Sequence, residues 1–340
     1  MKGKQIAGII VVCLILIVTG LVGVGTAVYK SKIKRESDKK TMDTLNDLLS
    51  SQEKEIQLPE KEFVGQIDIV GTIQRQDSSP GSVASNSEYR HDYYLEFIDK
   101  MEKADNNKGI FLYVDSPGGT VYESDEMYLK LLEYKEKTGR PVYAYFAGEA
   151  CSGAYYISMA ADKIYANRNC WTGSIGVIIS IMNYEKLMKK IGVAEIDITS
   201  GKNKTIGSGA HEMTKEQEKI LQALVDEAYD QFTGIVAKGR NMDIEKVKKL
   251  ADGRIYSAAQ AKKYGLIDEI MGKEETKSEF AEKLGNDQIG FFVPKKSTQW
   301  QNIFDQIFSL AGRFGSKSDI QAARELMEND ESGVLMYYAK

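Results

Sequence analysis

Three glycine-containing turns hold the side chains and backbone groups from which this chain could build a reactive centre. Asp115-Ser116-Pro117-Gly118-Gly119 follows the apolar run FLYV, and Gly148-Glu149-Ala150-Cys151-Ser152-Gly153-Ala154 follows VYAYFA. The third is Thr172-Gly173-Ser174-Ile175-Gly176. Gly118 and Gly119 can present backbone N–H groups where a side chain would block approach, and such groups stabilise an oxyanion. Ser152 sits where a strand gives way to a helix. Its Oγ can therefore stand at a helix N-terminus, in the manner of a nucleophile elbow, although no literal G-x-S-x-G string is present. The same position suits a serine that merely caps the helix.

A serine nucleophile needs a base. The chain has two histidines, His91 in SEYRHDYY and His211 in GSGAHEMT. Both stretches are polar, and both residues read as solvent-facing. A metal site of the HExxH type needs histidines four apart on one helix. Here they are 120 apart, and neither has a cysteine or carboxylate cluster at ligand spacing, so no metal site is expected. Lysine is the remaining base. Its reference pKa is about 10.4, so it must be made neutral by burial to work near neutral pH. Lys202 and Lys204, in the glycine-rich segment SGKNKTIG, are candidates, although the segment taken alone reads more simply as a loop with two solvated lysines. Three cysteines do not make a disulfide framework. Cys151 and Cys170 read as buried small hydrophobes, and Cys13 lies in an apolar run.

The elements that position these groups follow from periodicity. Strands are expected at Gln66–Ile73, Gly109–Val114, VYAYFA after Pro141, Lys163–Tyr165, Gly176–Ser180 and Glu195–Ile198. Helices are expected near Glu88–Ala104, through about Tyr134, at Ser152–Ala161, at Thr214–Gly239 and at Asp243–Ala251, with Thr214 and Gln217 forming a capping box. Alternating strands and helices imply an α/β domain with parallel pairing. In such a sheet, ligands bind at the carboxyl ends of the strands, where the three turns can converge.

Outside this domain, the 24 residues Ile6–Tyr29 carry no charge. That length spans a bilayer as a helix. Four regions follow: an anchor at 1–30, a polar tether at 31–62, a domain at 63–290 and a tail at 291–340. Trp300, Ile303, Phe304, Ile307, Phe308 and Ala311 form an amphipathic stripe in the tail. It suits packing on protein or contact with a membrane surface. Residues 1–35 hold six bases and no acid, while the chain as a whole carries a net charge of −4. The remainder is therefore acidic, which argues against a nucleic-acid partner.

DSPGG, ACSGAYYIS, TGSIGV, SGKNKTIGSG and DGRIYSAAQAKKYGLID occur in this order. Together they resemble the signal peptide peptidase A family, in its short single-repeat form, over about Val64–Ile270. The resemblance implies a Clp-protease/crotonase-like fold of repeated ββα units. It implies a Ser-Lys dyad of Ser152 as nucleophile and Lys204 as general base. Ser174 matches a serine that positions the lysine, and Gly119 and Gly153 match the oxyanion-hole positions. One departure is Ala154 where a second glycine is common. No cofactor is implied. The expected substrates are apolar peptides, above all signal-peptide remnants, and the strand around Ile67, Ile69 and Ile73 is a candidate for pairing with them. The resemblance further implies a single-pass membrane protein with its catalytic domain extracytoplasmic, in contact with lipid through its anchor. It also implies a homo-oligomer whose dyad can be shared between subunits. An acyl-CoA enzyme of the crotonase type and a non-catalytic membrane scaffold are the rival readings. The anchor and the lack of a glutamate pair oppose the first, and the joint presence of Ser152 and Lys204 opposes the second.

Overall fold

Runs of β-branched and aromatic residues too apolar for a surface build the interior of one sheet. A computed structural model describes residues 56–75 and 89–294. In chain order the elements are β1 (Phe63–Val70), α1 (His91–Lys103), β2 (Asn107–Ser116), α2 (Val121–Thr138), β3 (Val142–Cys151), α3 (Gly153–Ser158), β4 (Lys163–Ala166), β5 (Trp171–Gly173), α4 (Glu185–Ile191), α5 (Lys215–Gly239), α6 (Ile244–Leu250), β6 (Ile255–Ser257), α7 (Ala258–Tyr264), β7 (Glu269–Ile270), α8 (Lys273–Lys283) and β8 (Gly290–Phe292). The main path through the sheet is β6-β5-β3-β2-β1-β8, with β4 against β3 and β7 against β4. Every pair is parallel except β5 with β6. The expected mixed α/β architecture is present. Strand and helix alternate singly through β3, and only β4-β5-α4 runs strand, strand, helix.

Alternate residues of a strand face opposite sides of a sheet, and here both sides are buried. Ile67, Ile69, Ile110, Leu112, Val114 and Phe146 face the helices α1, α2 and α3. Val64, Phe111, Tyr143, Tyr145 and Tyr165 face α8, where Phe280 stacks on Tyr143 at 4.2 Å. Each such side chain contributes about 1.5–3 kcal/mol by leaving water. This two-sided core explains why β2 and β3 read as continuous apolar runs rather than alternating ones. The Thr214–Gln217 capping box forms as expected, with Thr214 Oγ1 accepting from Gln217 N at 3.2 Å and Gln217 Oε1 accepting from Thr214 N at 3.0 Å. It starts α5, the helix that reaches the reactive centre.

Two expected strands are absent. Gly176–Ser180 and Glu195–Ile198 are irregular backbone. Gly173 (φ 87°) and Ser174 (φ 47°) are both left-handed and end β5 there. Ile196 and Ile198 alternate with Glu195 and Asp197 as a half-buried strand would. Yet their exposures are 86% and 99%, and no strand pairs with them among the described residues. The alternation was real, but it had no sheet to join. At the other end, Phe291 and Phe292 pair with β1 and pack on the core, so the domain runs past residue 290. The apolar segment Ile6–Tyr29, most of the tether and the stripe Trp300–Ala311 lie outside the described residues. Among the described residues no helix is long and apolar enough to cross a membrane.

Candidate active site

The turn after β3 is strained at one residue. Ser152 has φ 52° and ψ −120°, a conformation that costs a non-glycine residue about 1–3 kcal/mol. It is held on both sides. Ser152 N donates to Gly173 O at 2.8 Å, and Ser152 O accepts from Tyr156 N at 2.9 Å. The first bond joins the turn after β3 to the turn after β5, and the second starts α3. The Ser152 side chain makes no capping hydrogen bond, so the reading of Ser152 as a simple cap fails. The residue is 7% exposed and stands at the N-terminus of α3, whose first N–H groups have no partner within the helix.

The turn after β2 closes against it. A Cβ on Gly118 would lie 2.8 Å from Ser152 Cβ and 2.9 Å from Gly153 N. A Cβ on Gly119 would lie 1.9 Å from Ile73 O, and one on Gly153 would lie 2.3 Å from Ser124 Oγ and 3.3 Å from Gly119 N. Gly119 and Gly153 are thus neighbours with no room for side chains between them. The chain secures this contact with backbone bonds. Ile73 N donates to Gly118 O and Thr120 N to Ile73 O, each at 2.8 Å, while Ser116 Oγ accepts from Gly118 N at 3.1 Å. Both backbone polar groups of Ile73 are therefore spent inside the chain. The side chains of Ile67, Ile69 and Ile73 are fully buried. Any pairing of a peptide with β1 has to use backbone groups beyond Gly65, where β8 stops.

Two cavities adjoin Ser152. The smaller, about 20 Å³, is walled by Gly119, Val121, Ser124, Gly153, Tyr156 and Phe232. The larger, about 370 Å³, is shared by Ser152, Ser174, Val177, Ile178, Tyr229 and Asp252. Ser174 N donates to Arg254 O at 2.8 Å, which fixes its left-handed turn beside the cavity. Lys204 lines neither cavity. It lies exposed in the turn-rich segment 201–207, beside Lys202, whose Nζ is 2.7 and 2.9 Å from the carboxylate oxygens of Glu216. Within one chain, Ser152, Ser174, Gly119 and Gly153 line these two cavities and Lys204 lines neither.

The histidines also line neither cavity. His91 corrects the sequence expectation, being 1% exposed rather than solvent-facing. It begins α1 on the face that carries Tyr94, Phe97 and Ile98, a face hidden by the polar residues around it in sequence. Its Nδ1 is 2.8 Å from Tyr89 Oη and its Nε2 is 2.8 Å from Glu126. That hydrogen bond holds the Glu126 carboxyl below the ordinary carboxylate range. His211 is half-exposed and 2.7 Å from Asp197 Oδ2. Asp115 shapes its turn, with Oδ1 accepting from Gly148 N at 3.2 Å and Glu149 N at 3.1 Å. Cys151 and Cys170 are buried free thiols, as expected of small hydrophobes. Burial pushes both up to about 12, so Cys151 is a poor rival to its neighbour Ser152 as nucleophile.

Sequence reasoning missed the walls of the smaller cavity. Tyr156 was legible in principle, because the fourth residue after Ser152 shares its helix face. Its hydroxyl donates to Asp125 at 2.6 Å and accepts from Gln231 Nε2 at 2.7 Å, linking α2, α3 and α5. Phe232, 5.0 Å from Tyr156 between ring centroids, lies far away in sequence and gave no local signal.

Residues 134–286 match peptidase family S49. A putative signal peptide peptidase SppA of Enterococcus faecium is 34% identical over 317 residues, covering 87% of this chain and 91% of that protein. A putative protease of Methanocaldococcus jannaschii is 43% identical over 194 residues, covering 57% of this chain and 61% of its own length. Protease 4 of Haemophilus influenzae is 34% identical over 209 residues, covering 62% of this chain and 34% of its own.

Proposed function

We propose, from the premise that this chain belongs to the signal peptide peptidase A family of peptidase family S49 and is a serine protease, that Ser152 is its nucleophile and Lys204 of a neighbouring copy its general base. One observation carries the reading: Ser152 is held at positive φ, at a helix N-terminus, against two glycines whose side-chain positions are filled by other atoms. A strained serine beside uncovered backbone N–H groups serves acyl transfer and has no evident structural purpose.

The mechanism follows from that geometry. Neutral Lys204 takes the proton from Ser152 Oγ as it attacks a peptide carbonyl, and the N–H groups of Gly119 and Gly153 hold the oxyanion. The amine leaves with that proton. Water, deprotonated by the same lysine, then releases the acyl group and restores Ser152. Ser174, on the wall of the larger cavity, hydrogen-bonds the ammonium that this transfer forms on Lys204. No cofactor takes part.

A shared dyad is supported by the exposure of Lys204 and by the apolar residues around its segment. Met182, Ile196 and Ile198 are 81%, 86% and 99% exposed. Exposed apolar surface of this extent marks an interaction face, and a second copy that covers it can bring its Lys204 to Ser152. Residues 6–29 anchor the chain in the membrane with the domain outside the cytoplasm. Apolar peptides, including signal-peptide remnants, are then the substrates at hand.

The smaller cavity holds little more than one water-sized group, so the residue whose carbonyl is attacked is small, as alanine is. Phe232→Ala enlarges that pocket. For matched peptides with alanine or leucine at this position, the variant is expected to raise kcat/KM for leucine relative to alanine by about tenfold. An unchanged ratio would place the side chain of the substrate elsewhere.

A further inference from the structure

Away from Ser152, one side-chain cluster gathers donors suited to a metal ion. The ligand atoms of Glu195, Asp197 and His211 all lie within 4.8 Å of one another. No carboxylate cluster was expected near either histidine, because Asp197 and His211 are far apart in sequence. The fold supplies it by returning the chain after the segment that carries Lys204. Glu195 and Asp197 lie two residues apart on irregular backbone that brings their carboxylates together. His211 is 2.7 Å from Asp197 Oδ2, and Ser208 Oγ donates to Glu195 Oε1 at 3.4 Å. Among the described residues neither carboxylate has a lysine or arginine partner, unlike Glu216, which has Lys202. Two carboxylates whose partners are only His211 and the Ser208 hydroxyl therefore share one exposed spot with that imidazole, where water can complete a coordination shell.

We propose that Glu195, Asp197 and His211 bind one divalent transition ion of the Zn²⁺ class, which clasps the two ends of the Lys204 segment. Imidazole nitrogen and carboxylate oxygen are Zn²⁺ ligands at about 2.0–2.2 Å, which sets tetrahedral neighbours about 3.3 Å apart. Exposed side chains reach that spacing by rotamer changes alone. The ion joins residue 197 to residue 211 and so restrains residues 198–210 between them. Its bearing on catalysis rests on the reading of Lys204 as base, whereas the site itself does not.

The test uses full-length protein in detergent, stripped of metal and titrated calorimetrically with Zn²⁺. It compares wild type with His211→Asn, Asp197→Asn and Ser152→Ala. Saturation at one ion per chain is expected in wild type and Ser152→Ala. Each ligand variant should bind at least about tenfold more weakly. Hydrogen exchange across residues 198–210 should slow on adding Zn²⁺ to wild type and not to His211→Asn. Equal binding by wild type and both ligand variants, no saturable binding, or binding that leaves that exchange unchanged would each overturn the site. Because Ser152→Ala is read by binding, a failure of the proposed dyad does not enter the result.

Discussion

Ser152→Ala is expected to abolish peptide hydrolysis by the full-length chain while leaving its fold intact. The loss in kcat should approach a millionfold, the size found when a serine peptidase loses its nucleophile. The fold should survive for a specific reason. The Ser152 side chain makes no capping bond, and the turn is held by backbone bonds from Ser152 N to Gly173 O and from Tyr156 N to Ser152 O. Alanine keeps those bonds and meets the same positive-φ strain as serine. Thermal unfolding and oligomer size should match wild type. Lys204→Ala should lose activity on the same scale, since nucleophile and base act as a unit. Its exposure predicts little effect on stability. Residual activity within tenfold of wild type in either variant would remove that residue from the chemistry.

Gly119→Ala is the second large effect, and it acts through a different cause. Its Cβ would lie 1.9 Å from Ile73 O and 2.5 Å from Ile73 C. Those are backbone atoms and cannot turn aside. The bridge between Ile73 and Gly119 must open, and the Gly119 N–H then moves from its place beside Gly153. Loss of one oxyanion donor costs about 10²–10³ in kcat, and the broken bridge adds a loss of stability of a few kcal/mol. Gly139 is the control. It is left-handed (φ 68°), and open space surrounds its Cβ position. Gly139→Ala should cost about 1 kcal/mol in stability, read as a shift in urea midpoint, and nothing in kcat. Equal activity of Gly119→Ala and Gly139→Ala would detach Gly119 from catalysis.

The strands that build the core were legible because their pattern has no other use. VYAYFA and GIFLYV are too short for a membrane and too apolar for a surface, and both are central strands. The junction at Ser152 was legible for the same reason: a strand runs into a glycine and then a helix. What failed were features set by distant partners. Glu195–Ile198 alternates like a strand but has no neighbour to pair with. His91 looks polar in its window, yet its face of α1 turns inward to Tyr89 and Glu126. Phe232 comes to the pocket from a helix eighty residues after Ser152, with no mark in its own surroundings. The three turns could be seen to converge, because parallel strands put their carboxyl ends together. That Lys204 is exposed and lines neither cavity beside Ser152 is a result of tertiary structure that the motif SGKNKTIG does not carry.

Mixing the two inactive variants tests the central claim most directly. Ser152→Ala and Lys204→Ala chains, given different tags, are co-expressed and oligomers holding both are purified through each tag in turn. If every site takes Ser152 from one chain and Lys204 from its neighbour around a closed ring, random mixing restores about a quarter of wild-type sites. Hydrolysis of an apolar peptide at about that level, from two parents that are each inactive, is the result predicted. Mixed oligomers as inactive as either parent would contradict the shared dyad.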